Sequence, residues 1–341
     1  MAVRIALVGT GRIGRIHAEN LAFRLPEARV VAVTDADLVS AERCARDFRV
    51  PAVAASYEDI LARDDVDAVA ICSSTATHAA FIIEAARAGK HIFCEKPIAL
   101  DLTTVDRALD AVEEHGVLLM VGFNRRFHAN FKRIRDIAAS GAIGQPHLVR
   151  ITSRDSAPPP IEYVKVSGGI FLDMTIHDFD MARYLVGDDV TEVFAAGSAL
   201  LNAGIGEAGD VDTAVVVLRY ASGAIGTIDN SRQAVFGYDQ RVEVFGSSGM
   251  AHCDNSYPDS VATSTRDGVR SSPPYFSFPE AYREAYVEEM RAFLHAVDTR
   301  TPPPITGVDG RIALVMGLAA TRSLHEGRPV RLSAVDTRRK L

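Results

Sequence analysis

The chain has 341 residues, 48% hydrophobic and 24% charged, an ordinary balance for a globular protein and enough length for two domains. Its formal net charge is −7, with no basic block except Arg338-Arg339-Lys340, which excludes nucleic acid as an expected partner. No apolar run is long enough to cross a bilayer, residues 3–8 read as a buried strand and not as a signal peptide, and the cysteines (Cys44, Cys72, Cys94, Cys253) form no C-x-x-C pair. A cytoplasmic, reducing location with no membrane partner is therefore expected.

In chain order, Arg4–Val8, Val30–Thr34, Ala52–Ala55, Ala68–Cys72, His91–Cys94 and Leu118–Val121 are short apolar runs. Most are continuous, as in strands buried on both faces. Helical patterns at Ile13–Arg24, Val39–Phe48, Ala76–Ala88 and Leu102–His115 lie between several of them, so a parallel sheet covered by helices is expected. After about residue 123 the texture changes. Leu148–Ser153, Glu192–Leu200, Thr213–Tyr220, Ala224–Ser231 and Arg241–Phe245 read as a mostly antiparallel sheet, and Pro279–Val297 and Val308–Glu326 as closing helices. The fold class is α/β: a Rossmann domain over residues 1–122, then an α/β domain with an open sheet over 123–341.

Gly9-Thr10-Gly11-Arg12-Ile13-Gly14 follows the first strand and opens the first helix. Gly9 permits the turn, Gly11 lets a pyrophosphate approach the backbone, Gly14 allows close packing, and the helix N-terminus attracts phosphate. Asp35 ends the second strand, where a carboxylate would bind ribose hydroxyls and repel a 2′-phosphate, so NAD is favoured over NADP. Ser73, Ser74, Thr75 and His78 follow the fourth run, at the edge where such sheets bind ligands; turn-forming and helix-capping roles are the alternative.

Glu95-Lys96-Pro97 follows the next strand at the same edge. Pro97 keeps Lys96 extended and makes a cis bond possible, and a Lys there can stabilise a developing alkoxide. Phe123-Asn124-Arg125-Arg126-Phe127 closes the first domain, with Arg125 expected as a solvated hinge residue. Further on, Asp173 and His177 follow the pair Gly168-Gly169. If that segment is one helix, the two side chains share a face, roughly 6 Å apart along the axis. Such an imidazole can act as a general base oriented by the carboxylate, with Asp180 a structural cap or pair. The pair could instead ligate a metal, but no third ligand is recognisable nearby, and no metal is expected.

These segments together resemble the Gfo/Idh/MocA family of NAD(P)-dependent sugar and polyol oxidoreductases. The similarity runs almost end to end, through Gly9–Gly14, Glu95-Lys96-Pro97, Gly122–Phe127, Gly168–His177 and Thr306–Arg311. It is greatest to members acting on inositols, on the strength of Ser153–Tyr163, Phe171–Arg183, Asp229–Gln233 and Gly237–Arg241. Asn202–Asp210 is a small-residue loop with no matching motif. The resemblance implies catalytic roles for Lys96, Asp173 and His177. It implies a cofactor site of Gly9, Gly11, Arg12, Ile13, Gly14, Asp35, Ser73, Ser74, Thr75, His78, Glu95 and Lys96. Arg126, Asp155, Tyr238 and Tyr282 join the catalytic three near a polyol substrate. It further implies closing helices that return toward the first domain, and a homodimer or homotetramer formed through the second sheet. The implied reaction is NAD-dependent oxidation of a secondary hydroxyl of myo-inositol to the ketone. Another inositol isomer, a cyclic aldose, or a catalytically silent NAD-binding regulator stand as alternatives.

Overall fold

A computed structural model of the chain describes residues 2–336, so the basic run Arg338–Lys340 lies outside the described residues. The chain divides into two compact units. The first comprises the residues up to Phe127 together with Glu284–Leu314, and the second His128–Arg283 together with the chain from Val315.

The first unit alternates strand and helix: β1 (Val3–Val8), α1 (Arg12–Phe23), β2 (Ala28–Thr34), α2 (Leu38–Phe48), α3 (Tyr57–Leu61), β3 (Ala68–Ile71), α4 (Thr75–Arg87), β4 (His91–Glu95), α5 (Leu102–His115) and β5 (Leu119–Gly122). The strands are all parallel, in the order β2-β1-β3-β4-β5. Helices cover such a sheet on both faces, which is why every residue of β3 and β5 is buried. Local chemistry sets the helix starts: the Asp37 side chain accepts from Val39 N, Ser56 and Asp59 form a capping box, and Asp101 accepts from Thr104 N. The strand expected at Ala52–Ala55 does not form. Only Val53 bridges β2, opposite Val33. Alanines bury little area at a sheet edge, and Ser56 already caps the next helix. The chain order reverses between β1 and β3, so the loops after these two strands meet at the topological switch point, where open parallel sheets bind ligands.

The second unit holds α6 (Ala129–Ala139), β6 (Pro146–Arg154), α7 (Ile161–Ser167), α8 (Gly169–Asp173), α9 (Thr175–Val186), β7 (Val190–Ser198), α10 (Ala203–Glu207), β8 (Thr213–Tyr220), β9 (Ile225–Ser231), β10 (Asp239–Gly246) and β11 (Gly249–Cys253). An exposed ribbon of β12 (Ala262–Thr265) and β13 (Gly268–Ser271) follows, and then α11 (Phe278–Ala281). Two longer helices come next, α12 (Arg283–Thr299) and α13 (Gly307–Glu326), before β14 (Val330–Arg331) joins the edge of the second sheet. The helix expected at Pro279–Val297 is interrupted at Tyr282, whose ring packs on those of Tyr238 and His128.

The second sheet runs β11-β10-β6-β9-β8-β7-β14; β6 and β9 are parallel and the other pairs antiparallel. Its strands alternate, as in β8, where Ala214, Val216, Leu218 and Tyr220 are buried and Val215, Val217 and Arg219 are exposed. Leu148, Ile225, Phe245 and Met250 add to the exposed apolar residues of this sheet.

Candidate active site

Gly9 has φ +94°, and a Cβ there would lie 2.6 Å from the backbone of Cys72 and Ser73, in the loop after β3. At Gly14 a Cβ would sit 2.0 Å from Gly9 O. Both positions are therefore closed to any other residue. Gly11 differs, because nothing lies within 4 Å of the position of its Cβ. The first turn of α1 has no side-chain cap and no acidic residue, which leaves its backbone N–H groups to an anion. These features fit the pyrophosphate of a dinucleotide. Exposed Arg12 and half-buried Ile13 start α1, and Ser74 precedes α4, which begins at Thr75, again without a side-chain cap.

Asp35 is tied to the same loop. Its Oδ2 accepts from the Thr10 hydroxyl (3.0 Å) and the Thr10 backbone N–H, and its Oδ1 accepts from Asp37 N (2.9 Å). Burial pushes this carboxyl's pKa up, but the hydrogen bonds outweigh it and hold it below the usual range. Asp35 therefore presents a fixed negative charge beside the glycine loop.

His78 is buried, with Nδ1 2.8 Å from Pro97 O and Nε2 3.0 Å from Ser73 O. Both ring nitrogens face backbone carbonyls, and burial pushes the ring toward its neutral form. His78 thus links the loop after β3 to the loop carrying Lys96 and Pro97, whose peptide bond is cis. The Ser73 hydroxyl bonds that of Thr77 at 2.7 Å.

Glu95 is half-buried at the end of β4 and accepts from His17 Nε2 at 2.8 Å. Glu289 of α12 completes a group whose donor atoms all lie within 4.8 Å of one another. These are metal-type donors on three separate elements, and their spacing gives no sequence signal. Neither oxygen of Glu289 has a hydrogen-bond partner, and burial together with Glu95 pushes its carboxyl well up. Burying a second carboxylate charge beside Glu95 is unfavourable, which is the cause of that rise.

In the second unit, Asp173 and His177 do not share one helix. Asp173 ends α8 and His177 lies in the first turn of α9, with Met174 between them at φ −96°, ψ −60°. Thr175 marks the break, its hydroxyl 2.7 Å from Asn230 Oδ1 and 3.2 Å from Ile170 O. Leu172, Ile176 and Phe179 are buried in the core, and Asp178 and Asp180 are buried as well.

The Asp173 carboxylate is held from two sides. Tyr163 donates its hydroxyl to Oδ1 at 2.9 Å, and Arg232 donates Nη1 to Oδ2 at 2.7 Å. Arg232 is only 2% exposed and also faces Asp155 (3.9 Å) and Asp210 (4.0 Å). Burial lowers its pKa, and the surrounding carboxylates more than offset that. Asp210 in turn accepts from Ile170 N at 3.0 Å, at the start of α8. This explains the glycine pair. Gly168 and Gly169 have φ +85° and +79°, and a Cβ on Gly169 would lie 2.8 Å from Asp210 Oδ1.

Sequence reasoning missed Arg232, Tyr163 and Asp210 as members of this cluster. Tyr163 and Arg232 stand inside segments that carry the family resemblance, which was the available signal. Asp210 ends a stretch that looked featureless and instead contains α10.

The remaining substrate candidates divide. Asp155 belongs to the Arg232 cluster. Tyr238 and Tyr282 pack edge to face, with ring centroids 5.8 Å apart, and both are buried. Arg126 donates to Asp309 Oδ1 at 2.9 Å within the first unit. Arg125 is buried, against the expectation of a solvated hinge, because the chain here turns through a short 3-10 helix at Asn124–Phe127.

A parallel sheet with a glycine loop and a terminal acid at its switch point defines a dinucleotide-binding Rossmann domain. Residues 3–123 match the family model of oxidoreductases with an NAD-binding Rossmann fold, and residues 131–252 match the Gfo/Idh/MocA C-terminal domain. The chain belongs to the Gfo/Idh/MocA family of oxidoreductases. It is 50% identical over 336 residues to the myo-inositol 2-dehydrogenase of Thermotoga maritima, covering 98% of this chain and 99% of that protein. To the inositol 2-dehydrogenase of Rhizobium meliloti it is 44% identical, over 98% of this chain and all of the relative. A crystal structure of a probable dehydrogenase from Thermotoga maritima matches with a TM-score of 0.96 at 49% identity, over 98% of this chain and 100% of that one. Among the described residues, no helix is long and apolar enough to cross a membrane.

Proposed function

We propose that the protein oxidises one secondary hydroxyl of myo-inositol to the ketone, with NAD as the cofactor. The observation that carries this reading is a carboxylate fixed by two donors four residues before His177, in a chain whose other unit is an NAD-binding domain. Bound NAD would supply the hydride acceptor, held by Gly9, Gly11, Gly14 and Asp35.

His177 takes the hydroxyl proton while the hydrogen on the same carbon leaves with the C–H electron pair as hydride, for which bound NAD would be the acceptor, so that C–O becomes C=O. Asp173 supports the charged imidazole. Lys96 donates to the reacting oxygen and offsets its developing negative charge. Asp155, Tyr238 and Tyr282 are offered as polyol contacts, with Arg126 bracing its own segment through Asp309. The apolar residues on the outward face of the second sheet support assembly of copies of this chain through that face.

A panel of inositol isomers, cyclic aldoses and open-chain polyols with NAD or NADP, read by absorbance of the reduced cofactor, tests the reading. Myo-inositol with NAD is expected to give the highest kcat/KM. NAD binding with no turnover on any polyol would overturn it in favour of a silent cofactor-binding protein.

A further inference from the structure

Asp155, Asp173 and Asp210 surround a single guanidinium in the second unit, leaving a surplus of negative charge. Only one arm of that guanidinium is well used: Nη1 donates to Asp173, while Nε and Nη2 are buried without a hydrogen-bond partner. Its backbone N–H donates to Asp212 O at 2.8 Å, which fixes the end of β9 from which the side chain projects. Desolvating a guanidinium and leaving two donors idle is unfavourable, and an apolar side chain of similar volume would stabilise the fold at least as well. The single charge-assisted bond falls on the carboxylate of Asp173, four residues before His177 in the chain. Tyr163, 47% exposed, fixes the other oxygen of that carboxylate from α7.

We propose that Arg232 is a positioning residue for the dehydrogenase reaction: with Tyr163 it fixes the direction of the Asp173 carboxylate and tempers the negative charge that bears on His177. This rests on the reading of Asp173 as the partner of the base. Arg232 is shielded from solvent and acts through Asp173, not on the substrate. The charge has a definite sign of effect. The acidic groups to weigh are Asp155 and Asp210, which face Arg232, and Asp178 and Asp180, which follow His177 in the chain on α9. Without the guanidinium these act undiluted, and a protonated His177 becomes easier to form. The pH at which the base becomes active must then rise.

The test compares Arg232→Gln, Arg232→Lys, Tyr163→Phe and Asp173→Asn by kcat, KM for polyol, NAD affinity, thermal unfolding and the pH profile of kcat/KM. Arg232→Gln is expected to lower kcat by roughly 100-fold, with NAD affinity unchanged and the acid limb of the profile moved to higher pH. Arg232→Lys keeps the charge but not the direction, so kcat falls while the acid limb stays in place. Tyr163→Phe, at an exposed ring, is expected to lower kcat several-fold with no change in unfolding temperature. It decides the matter, together with Arg232→Lys, if Arg232→Gln does not fold. Wild-type kcat and pH profile in both of those variants, beside an inactive Asp173→Asn, would overturn the role of Arg232 and Tyr163 alone. An active Asp173→Asn would overturn the underlying reading as well.

Discussion

In the first unit the groups prepared for a ligand are mostly backbone: the N–H groups at the start of α1, the turn at Gly9 and the close packing at Gly14. In the second the candidate site is a cluster of side chains drawn from separate segments, namely Tyr163 on α7, Asp173 on α8, His177 on α9, Asp210 before β8 and Arg232 after β9. A backbone site needs only a strand, a short glycine spacing and a helix, all contiguous in the chain. A side-chain site needs the whole sheet to be folded first. The first kind tolerates no added carbon atom at Gly9 or Gly14, whereas the second tolerates little change of charge.

Outside the reacting residues, the largest expected effect is at Gly14. A Cβ 2.0 Å from Gly9 O must push the glycine loop out of shape. Gly14→Ala is expected to cost about 1–3 kcal/mol of cofactor binding, roughly 10- to 100-fold in NAD affinity by calorimetry. A variant that binds NAD normally would show that the loop has more freedom than its packing implies.

A smaller effect is expected at Glu289, in stability and not in binding. Its carboxyl is raised in the folded state, so between the ordinary glutamate pKa and the raised one the unfolded chain releases a proton that the folded chain keeps. Stability from this group therefore falls as pH rises through that window. Glu289→Gln removes the penalty and is expected to be more stable than wild type at pH 7, with the gain vanishing near pH 4. Denaturant unfolding at several pH values checks this. A variant less stable than wild type at pH 7, with the deficit shrinking toward pH 4, would mean that Glu289 is held for its negative charge.

The same contrast explains what could be read from the sequence. The five parallel strands, their helices, the glycine loop and Asp35 were legible because each depends on residues near one another in the chain. Asp173 and His177 were recognisable as a spacing, but their helix was drawn as continuous; the break depends on Thr175 meeting Asn230, 55 residues away. Arg232 carried no local sign of burial, since an Arg between Ser231 and Gln233 reads as a surface residue. Asp210 was hidden for the same reason. The outward face of the second sheet became identifiable only once burial showed which residues of β8 point away from the core.

The central claim is that His177 removes the proton as the substrate is oxidised. It is tested most directly by following NADH formation from myo-inositol by wild type and His177→Ala, with NAD affinity measured on the same samples. Unchanged NAD affinity and a loss of kcat of about 100- to 10,000-fold are expected. Turnover close to wild type in His177→Ala would contradict it.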